Sequence, residues 1–184
     1  MRVPASTRWR MSWASPEVLL GLGSNLGDRL FLLRSAVLAL AESNLVRLRA
    51  VSSAWLTEPV GQRAGGMGRP SRWYLNAVVA CRFSCGPQTA LSVCRAVERS
   101  LGQRGHPGGL PRLIDVDLLL WGDLVVDSPK LTLPHPRLEE RRFVLAPACE
   151  IRPDLVHPVA GRRLADLLEG LPPRPDARKL RPVL

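Results

Sequence analysis

The sequence predicts an α+β fold, a ferredoxin-like β-α-β-β-α-β sandwich with short helices at its C-terminal end. Three observations lead there. Apolar residues recur at helical spacing in two separate stretches, Gly27–Glu42 and Pro87–Leu101. Two strand-like runs, Val46–Thr57 and Tyr74–Phe83, follow one another between those helices, which a doubly wound sheet with strict alternation does not allow. Further strands flank the set on either side, and that order is the split βαβ arrangement.

Glu17–Gly23 is a short apolar run closing on glycine, read as the first strand. The first helix carries Leu30, Leu33, Val37, Leu38 and Ala41, with Asn25 or Asp28 as its N-cap. Val46–Thr57 alternates imperfectly, so a bulge is expected within it. The second helix places Leu91, Cys94, Val97, Glu98 and Leu101 at helical intervals, with Pro87 near its start. A Gly- and Arg-rich loop, Gly61–Arg72, and a Gly- and Pro-rich loop, Gly102–Arg112, precede the third and last strands of the set. Ile114–Trp121 is a largely apolar strand, and Gly122-Asp123 turns the chain toward Leu124–Val126. Short helices are expected around Arg141–Glu150 and Leu164–Leu168. The prolines between Pro172 and Pro182 predict a disordered end.

The 184 residues fit one domain, set at 17–170, with an extension over 1–16 and a Pro/Arg-rich tail over 171–184. Lys and Arg number 26 against 16 Asp and Glu, a net charge of +10. Such a surplus, mostly arginine, suits phosphate, although a GC-rich genome would enrich arginine too. No run approaches the roughly 18 apolar residues of a membrane span, and the start lacks a secretory apolar stretch. Cys81, Cys85, Cys94 and Cys149 have no zinc-type spacing. They are read as reduced packing residues of a cytoplasmic protein.

Asp115 and Asp117 carry the sharpest chemical signal. Two apart in a strand, they share one face while Ile114, Val116 and Leu118 take the other. Two carboxylates on one face call for a cation, and Mg²⁺ typically binds one or two carboxylates together with water and phosphate. The bland alternative is a solvated strand face paired with Arg112. Arg104, Arg112, Lys130, His135, Arg137, Arg141 and Arg142 surround the pair in sequence, as a triphosphate would require. His135 lies between Pro134 and Pro136, where a phosphate contact or proton donation competes with a plain surface role. His106 and His157 are read as structural. Gly21-x-Gly23-x-x-x-Gly27 is not a dinucleotide fingerprint, and no Walker-type loop occurs.

Several segments in one order resemble the 6-hydroxymethyl-7,8-dihydropterin pyrophosphokinase family. They are Gly21–Gly27, Val51–Ser53, Thr57–Gly61, Tyr74–Ala77, Pro111-Arg112 with Ile114–Leu118, Leu131–His135, and Arg141 with Phe143–Leu145, Pro147 and Glu150-Ile151. The resemblance covers roughly residues 18–160. It implies a ferredoxin-like enzyme that transfers the β,γ-pyrophosphoryl group of ATP to the pterin hydroxymethyl group in folate biosynthesis, releasing AMP. It implies two Mg²⁺ ions on Asp115 and Asp117, and Arg112, Asp115, Asp117, His135 and Arg141 as the catalytic set. ATP would contact Glu98, Arg104, Arg112, Leu118, Lys130, Thr132, His135 and Arg141. The pterin would lie against Thr57, Pro59, Val60, Gly61, Tyr74, Asn76 and Phe143. This chain departs from the family before Arg112: Gly108-Gly109-Leu110-Pro111 lacks the usual aromatic, for which Trp73 is a possible substitute, and Leu113 stands where the family has Thr.

A basic sheet of this class could instead bind RNA, but that needs exposed aromatics in a G-F/Y-G/A-F motif. The chain has 5 Trp, 3 Phe and 1 Tyr and no such motif. A degenerate pyrophosphokinase kept as a scaffold is the other rival. The expected partners are therefore ATP and the pterin, with no nucleic acid and no membrane, and the expected state is a monomer.

Overall fold

The structure is a computed structural model that describes residues 15–58, 73–102, 112–172 and 177–183. Its elements run β1 (Val18–Ser24), α1 (Arg29–Glu42), β2 (Val46–Val51), β3 (Ser53–Thr57), β4 (Tyr74–Phe83), α2 (Pro87–Ser100) and β5 (Asp115–Trp121). Then come β6 (Val126–Ser128), β7 (Leu131–Leu133), α3 (Arg142–Ile151), α4 (Leu164–Glu169) and β8 (Ala177–Pro182). The α+β class and the predicted element order hold.

The main sheet is antiparallel, in the order β5-β1-β4-β3-β8, and β2 pairs with the other half of β4 beside β3. Strand alternation sorts the apolar side chains onto two faces. Val18, Leu20 and Leu22 of β1 join Leu33, Val37 and Leu40 of α1 and Cys94 and Val97 of α2 in one core. Leu19 packs on the opposite face with Val78, Ala80, Leu145 and Leu164, under α3 and α4. The β1–β5 register shifts between Leu19 and Leu20. This bulge lets Leu119 and Leu120 both enter the α3 core while Trp121 returns to the other face, stacked on Phe83 at 5.6 Å. Asp28, not Asn25, caps α1, its carboxylate accepting from Phe31 N at 3.0 Å.

Three expectations change. The run 46–57 is two strands, because Ser52 turns its side chain into the ladder: Oγ accepts from Val78 N at 2.9 Å and donates to Ser53 O at 2.8 Å. The chain beyond Asp123 forms a hairpin, β6 with β7, not one short strand. The tail is not disordered over 177–182. There β8 pairs with β3, and the following Val183 is 1% exposed in the α1 core, its carbonyl held by Arg34 Nε at 2.8 Å. At the other end, Ser15 of the expected extension already donates to Phe83 O at 2.6 Å. Cys81 and Cys94 are buried free thiols, Cys85 and Cys149 half-buried ones.

Candidate active site

The face that α3 leaves open carries the polar residues. Across it run two rows fixed by register: Asp115–Gly23–Asn76–Trp55, and Asp117–Gly21–Val78. Glycine at the middle position leaves a bare backbone floor between the diacid and the amide. A Cβ on Gly23 would meet Asn76 Oδ1 at 3.0 Å, and one on Gly21 would meet Leu119 at 3.2 Å.

At the β5 end, Arg112 Nη1 donates to both oxygens of Asp115, at 2.6 and 2.5 Å. Asn25 fixes this arginine from the β1–α1 turn: its Oδ1 accepts from Arg112 N at 2.7 Å, and its own N donates to Arg112 O at 3.2 Å. Burial pushes the Asp117 carboxyl up to about 6, and the Asp115 carboxylate adds to the rise against Arg141 and Arg112. Glu98 is also raised, by burial first, although its Oε1 accepts from Val116 N at 2.7 Å. The pairing with Arg112 foreseen as the bland reading is therefore present, but for Asp115 alone. Among the described residues, no three His, Cys, Asp or Glu side chains gather as a metal cage. A cation here would take two protein carboxylates and complete its shell with water and phosphate, which fits the preference of Mg²⁺.

The basic side stands on the β7–α3 connection. His135 N donates to Leu119 O at 2.8 Å, so the segment lies along β5. Burial lowers the His135 imidazole to about 4, and Arg141 and Arg137 push the same way. Arg141 Nη1 lies 3.4 Å from His135 Nε2, and its guanidinium stands 5.5 Å from the centre of the Phe143 ring. Lys130 is exposed at the β6–β7 turn, and Thr132, half-buried, lines a groove with His135. Leu118 is different. Its side chain is 4% exposed in the α1–α2 core, on the face opposite the diacid, so only its main chain borders the site.

On the other side of the floor, Asn76 Nδ2 donates to Thr57 Oγ1 at 2.6 Å, and both residues are buried. The bond fixes the amide so that Oδ1 faces Gly23. Tyr74 and Phe143 are half-buried. Trp73 immediately precedes β4, and its ring centre lies 5.7 Å from the Arg178 guanidinium; the segment that lacks the family's aromatic, 108–111, lies outside the described residues. Pro59, Val60, Gly61, Arg104 and His106 lie outside the described residues. His157 is buried, its Nδ1 accepting from Ala160 N at 3.1 Å, as a structural role requires.

Sequence reasoning left out the supports behind the site. Asn25 was read only as a cap. Glu150 was noted without a role, yet it accepts from Ser53 Oγ at 2.7 Å, Trp55 Nε1 at 2.9 Å and Lys179 Nζ at 3.0 Å. It thereby ties α3 to β3 and β8. Contacts across such separations leave no local signal in the sequence.

Residues 19–153 match the family described as 7,8-dihydro-6-hydroxymethylpterin-pyrophosphokinase (HPPK). The 2-amino-4-hydroxy-6-hydroxymethyldihydropteridine pyrophosphokinase of Porphyromonas gingivalis is 42% identical over 147 residues, 78% of this chain and 95% of the relative. Its namesake in Methylorubrum extorquens is 38% identical over 154 residues, 84% of this chain and 92% of the relative. Among solved structures, wild-type Plasmodium falciparum HPPK-DHPS with pteroate superposes with a TM-score of 0.66 at 14% identity, over 84% of this chain and 42% of that one. That likeness speaks for the fold, and this chain spans less than half of the longer protein. On the sequence match and the identity to full-length relatives, the chain belongs to the 7,8-dihydro-6-hydroxymethylpterin-pyrophosphokinase family.

Proposed function

We propose that this pyrophosphokinase transfers the β,γ-pyrophosphoryl group of ATP to the hydroxymethyl oxygen of 6-hydroxymethyl-7,8-dihydropterin. In that step the hydroxymethyl O–H bond breaks and its proton passes to solvent, a pterin O–Pβ bond forms, the bond from Pβ to the α,β-bridging oxygen breaks, and AMP leaves with that oxygen. The observation that carries the reading is the placement of Asp115 and Asp117 at one end of the glycine floor and the Asn76–Thr57 pair at the other. Acid at one end and a fixed amide at the other would hold two different substrates across a short gap floored by Gly21 and Gly23.

Asp115 and Asp117 would hold two Mg²⁺ ions, which would supply charge neutralisation along the triphosphate. Arg112, His135 and Arg141 would bind phosphate oxygens, with Lys130 and Thr132 beside the nucleotide and Arg104 from the preceding loop. Glu98 and the Leu118 main chain would border the nucleotide. Glu98 also holds β5 in place through Val116 N. Asn76 would read the amide-like edge of the pterin, with main-chain groups at Thr57, Pro59, Val60 and Gly61. Phe143 would stack on the ring, and Tyr74 would form the wall. Positioning and charge neutralisation would dominate the chemistry, without a side-chain base.

We further read the protein as a cytoplasmic monomer acting on small molecules, in keeping with its four free thiols; light scattering checks the oligomeric state. No helix among the described residues is long and apolar enough to cross a membrane. The deciding experiment is AMP release from ATP and Mg²⁺, with and without the pterin, for wild type and Asp117→Ala. Pterin-dependent AMP that the variant loses supports the reading. Folded wild type that releases no AMP points to a degenerate member of the family.

A further inference from the structure

Trp73 is the last residue before β4 and adjoins Tyr74. Two elements distant in sequence converge on it. Arg29, the first residue of α1, donates from Nη1 to the Trp73 carbonyl at 2.6 Å. Arg178 of β8 holds its guanidinium 5.7 Å from the centre of the Trp73 ring.

Register shows which side of the sheet this cluster occupies. Arg178 pairs with Leu56, and Leu56 with Leu75, while Ala177 pairs with Thr57 and Thr57 with Tyr74. Alternation therefore puts Arg178, Leu56 and Leu75 on the α1 face, where the contact with Arg178 also holds the Trp73 ring, and Thr57, Tyr74 and Asn76 on the open face. The cluster lies directly behind the Thr57–Asn76 pair, separated from it by one thickness of sheet.

We propose that Arg29, Trp73 and Arg178 form a positioning latch for the pterin half of the site. Arg29 fixes the main chain entering β4, and Arg178 covers the indole and thereby holds the β8–β3 edge against it. Tyr74, Asn76 and Thr57 are then preset before the pterin arrives, so binding does not have to order them. The three residues are positioning residues and touch no substrate. β8 thus has a role in substrate selection besides closing the sheet.

The proposal rests on the substrate reading above, so direct pterin binding is measured alongside turnover. Calorimetry with 6-hydroxymethyl-7,8-dihydropterin, Mg²⁺ and a non-hydrolysable ATP analogue is compared for wild type, Arg178→Ala, Arg178→Lys and Arg29→Ala. Loss of one cation–π or carbonyl contact should weaken pterin affinity by roughly 3- to 10-fold and raise its KM alike, with the KM for ATP unchanged. Arg178→Lys, which keeps a cation over the ring, should recover part of the loss. Pterin affinity unchanged in both Ala variants overturns the latch. So does a parallel fall in affinity for both substrates that tracks a lower melting temperature, since that is general loosening. Wild type that binds no pterin removes the substrate reading and the latch with it, whereas wild type that binds while the variants bind equally removes the latch alone.

Discussion

Arg112 Nη1 straddles the carboxylate of Asp115, 2.6 Å from Oδ1 and 2.5 Å from Oδ2, whereas Asp117, two residues on, is acted on only at longer range by Arg141 and Arg112. The two acids are thus unequal without metal. Asp115 carries its own counter-ion, and Asp117 is a half-buried carboxyl beside a like charge, a cost to the fold that a cation would relieve.

Asp117→Asn should therefore keep or raise the melting temperature in metal-free buffer while lowering turnover by at least about 100-fold, as loss of a charge-stabilising group does. Asp115→Asn should lower turnover as well, but it also leaves Arg112 without its partner and should cost about 1 kcal/mol of stability. Thermal melts of both variants in EDTA check the difference. A melting temperature several degrees lower for Asp117→Asn than for wild type would make that carboxylate a structural group instead.

His135 should titrate near pH 4 in the free protein, because burial and the flanking Arg141 and Arg137 disfavour its charged form. The sign follows from linkage. The unfolded chain takes up the proton near pH 6.5 and the folded one does not, so this residue makes stability fall as pH drops from about 6.5 toward 4. Bound triphosphate brings negative charge and should raise the midpoint. NMR titration of the imidazole with and without an ATP analogue measures both. An unshifted midpoint on saturation would remove His135 from the phosphate site.

Glu17 gives an acid dependence of a different origin. Its carboxylate takes hydrogen bonds from Arg152 Nε at 2.7 Å and Nη2 at 2.9 Å, just before β1 and at the end of α3. Those bonds, with further attraction from Arg82 and Arg49, lower its pKa despite burial. A depressed carboxyl contributes fully above its unfolded value of about 4.5 and loses that contribution as pH falls through the lowered one. Glu17→Gln should cost about 1–2 kcal/mol at pH 7. In urea unfolding the gap from wild type should close as pH falls through the lowered value, and a gap that persists in strong acid would mean the residue acts through packing alone.

Much of this was legible because it repeats locally. The period of two in Asp115–Asp117 gave the diacid its common face, and Tyr74–Phe83 shows strand character throughout. β8 was hidden for a physical reason: Arg178, Lys179, Leu180 and Arg181 are all exposed, so the strand is held by its ladder to β3 and by side-chain contacts such as Lys179 to Glu150, with no apolar alternation to read. Leu118 was carried into the nucleotide site by family resemblance, yet the alternation that pairs Asp115 with Asp117 sends its side chain the other way. Ser52 looks like any strand serine until Val78 is placed beside it. The supports at Asn25 and Glu150 depend on partners far along the chain, such as the 87-residue separation from Asn25 to Arg112, and only the folded sheet brings them together.

Glu150 should accordingly be a strong determinant of stability without touching substrate. Its carboxyl is held below the usual range because hydrogen bonds from Ser53, Trp55 and Lys179 outweigh the opposing effect of burial. Glu150→Ala removes the shared acceptor and should cost about 2–3 kcal/mol, and Glu150→Gln less, since its carbonyl oxygen can still accept. Chemical denaturation measures both. Equal stability of Glu150→Ala and wild type would show that water replaces the carboxylate at no cost.

The glycine floor gives the most direct test of the site's shape. At Gly23 the new methyl of Gly23→Ala would sit 3.0 Å from Asn76 Oδ1, closer than unstrained contacts allow. The amide cannot easily move aside, because its Nδ2 is bonded to Thr57 Oγ1 at 2.6 Å. Either that bond lengthens or the amide turns, and both disturb the group assigned to the pterin while leaving Arg141 and His135 untouched. Pterin affinity should fall by roughly 10-fold or more, the equivalent of one neutral hydrogen bond, with ATP affinity close to wild type. Double substitution with Asn76→Ala should restore the space and show no further loss of pterin binding beyond Asn76→Ala alone. Additive losses in the double variant would mean that Gly23 and Asn76 act independently, and that the floor does not couple them.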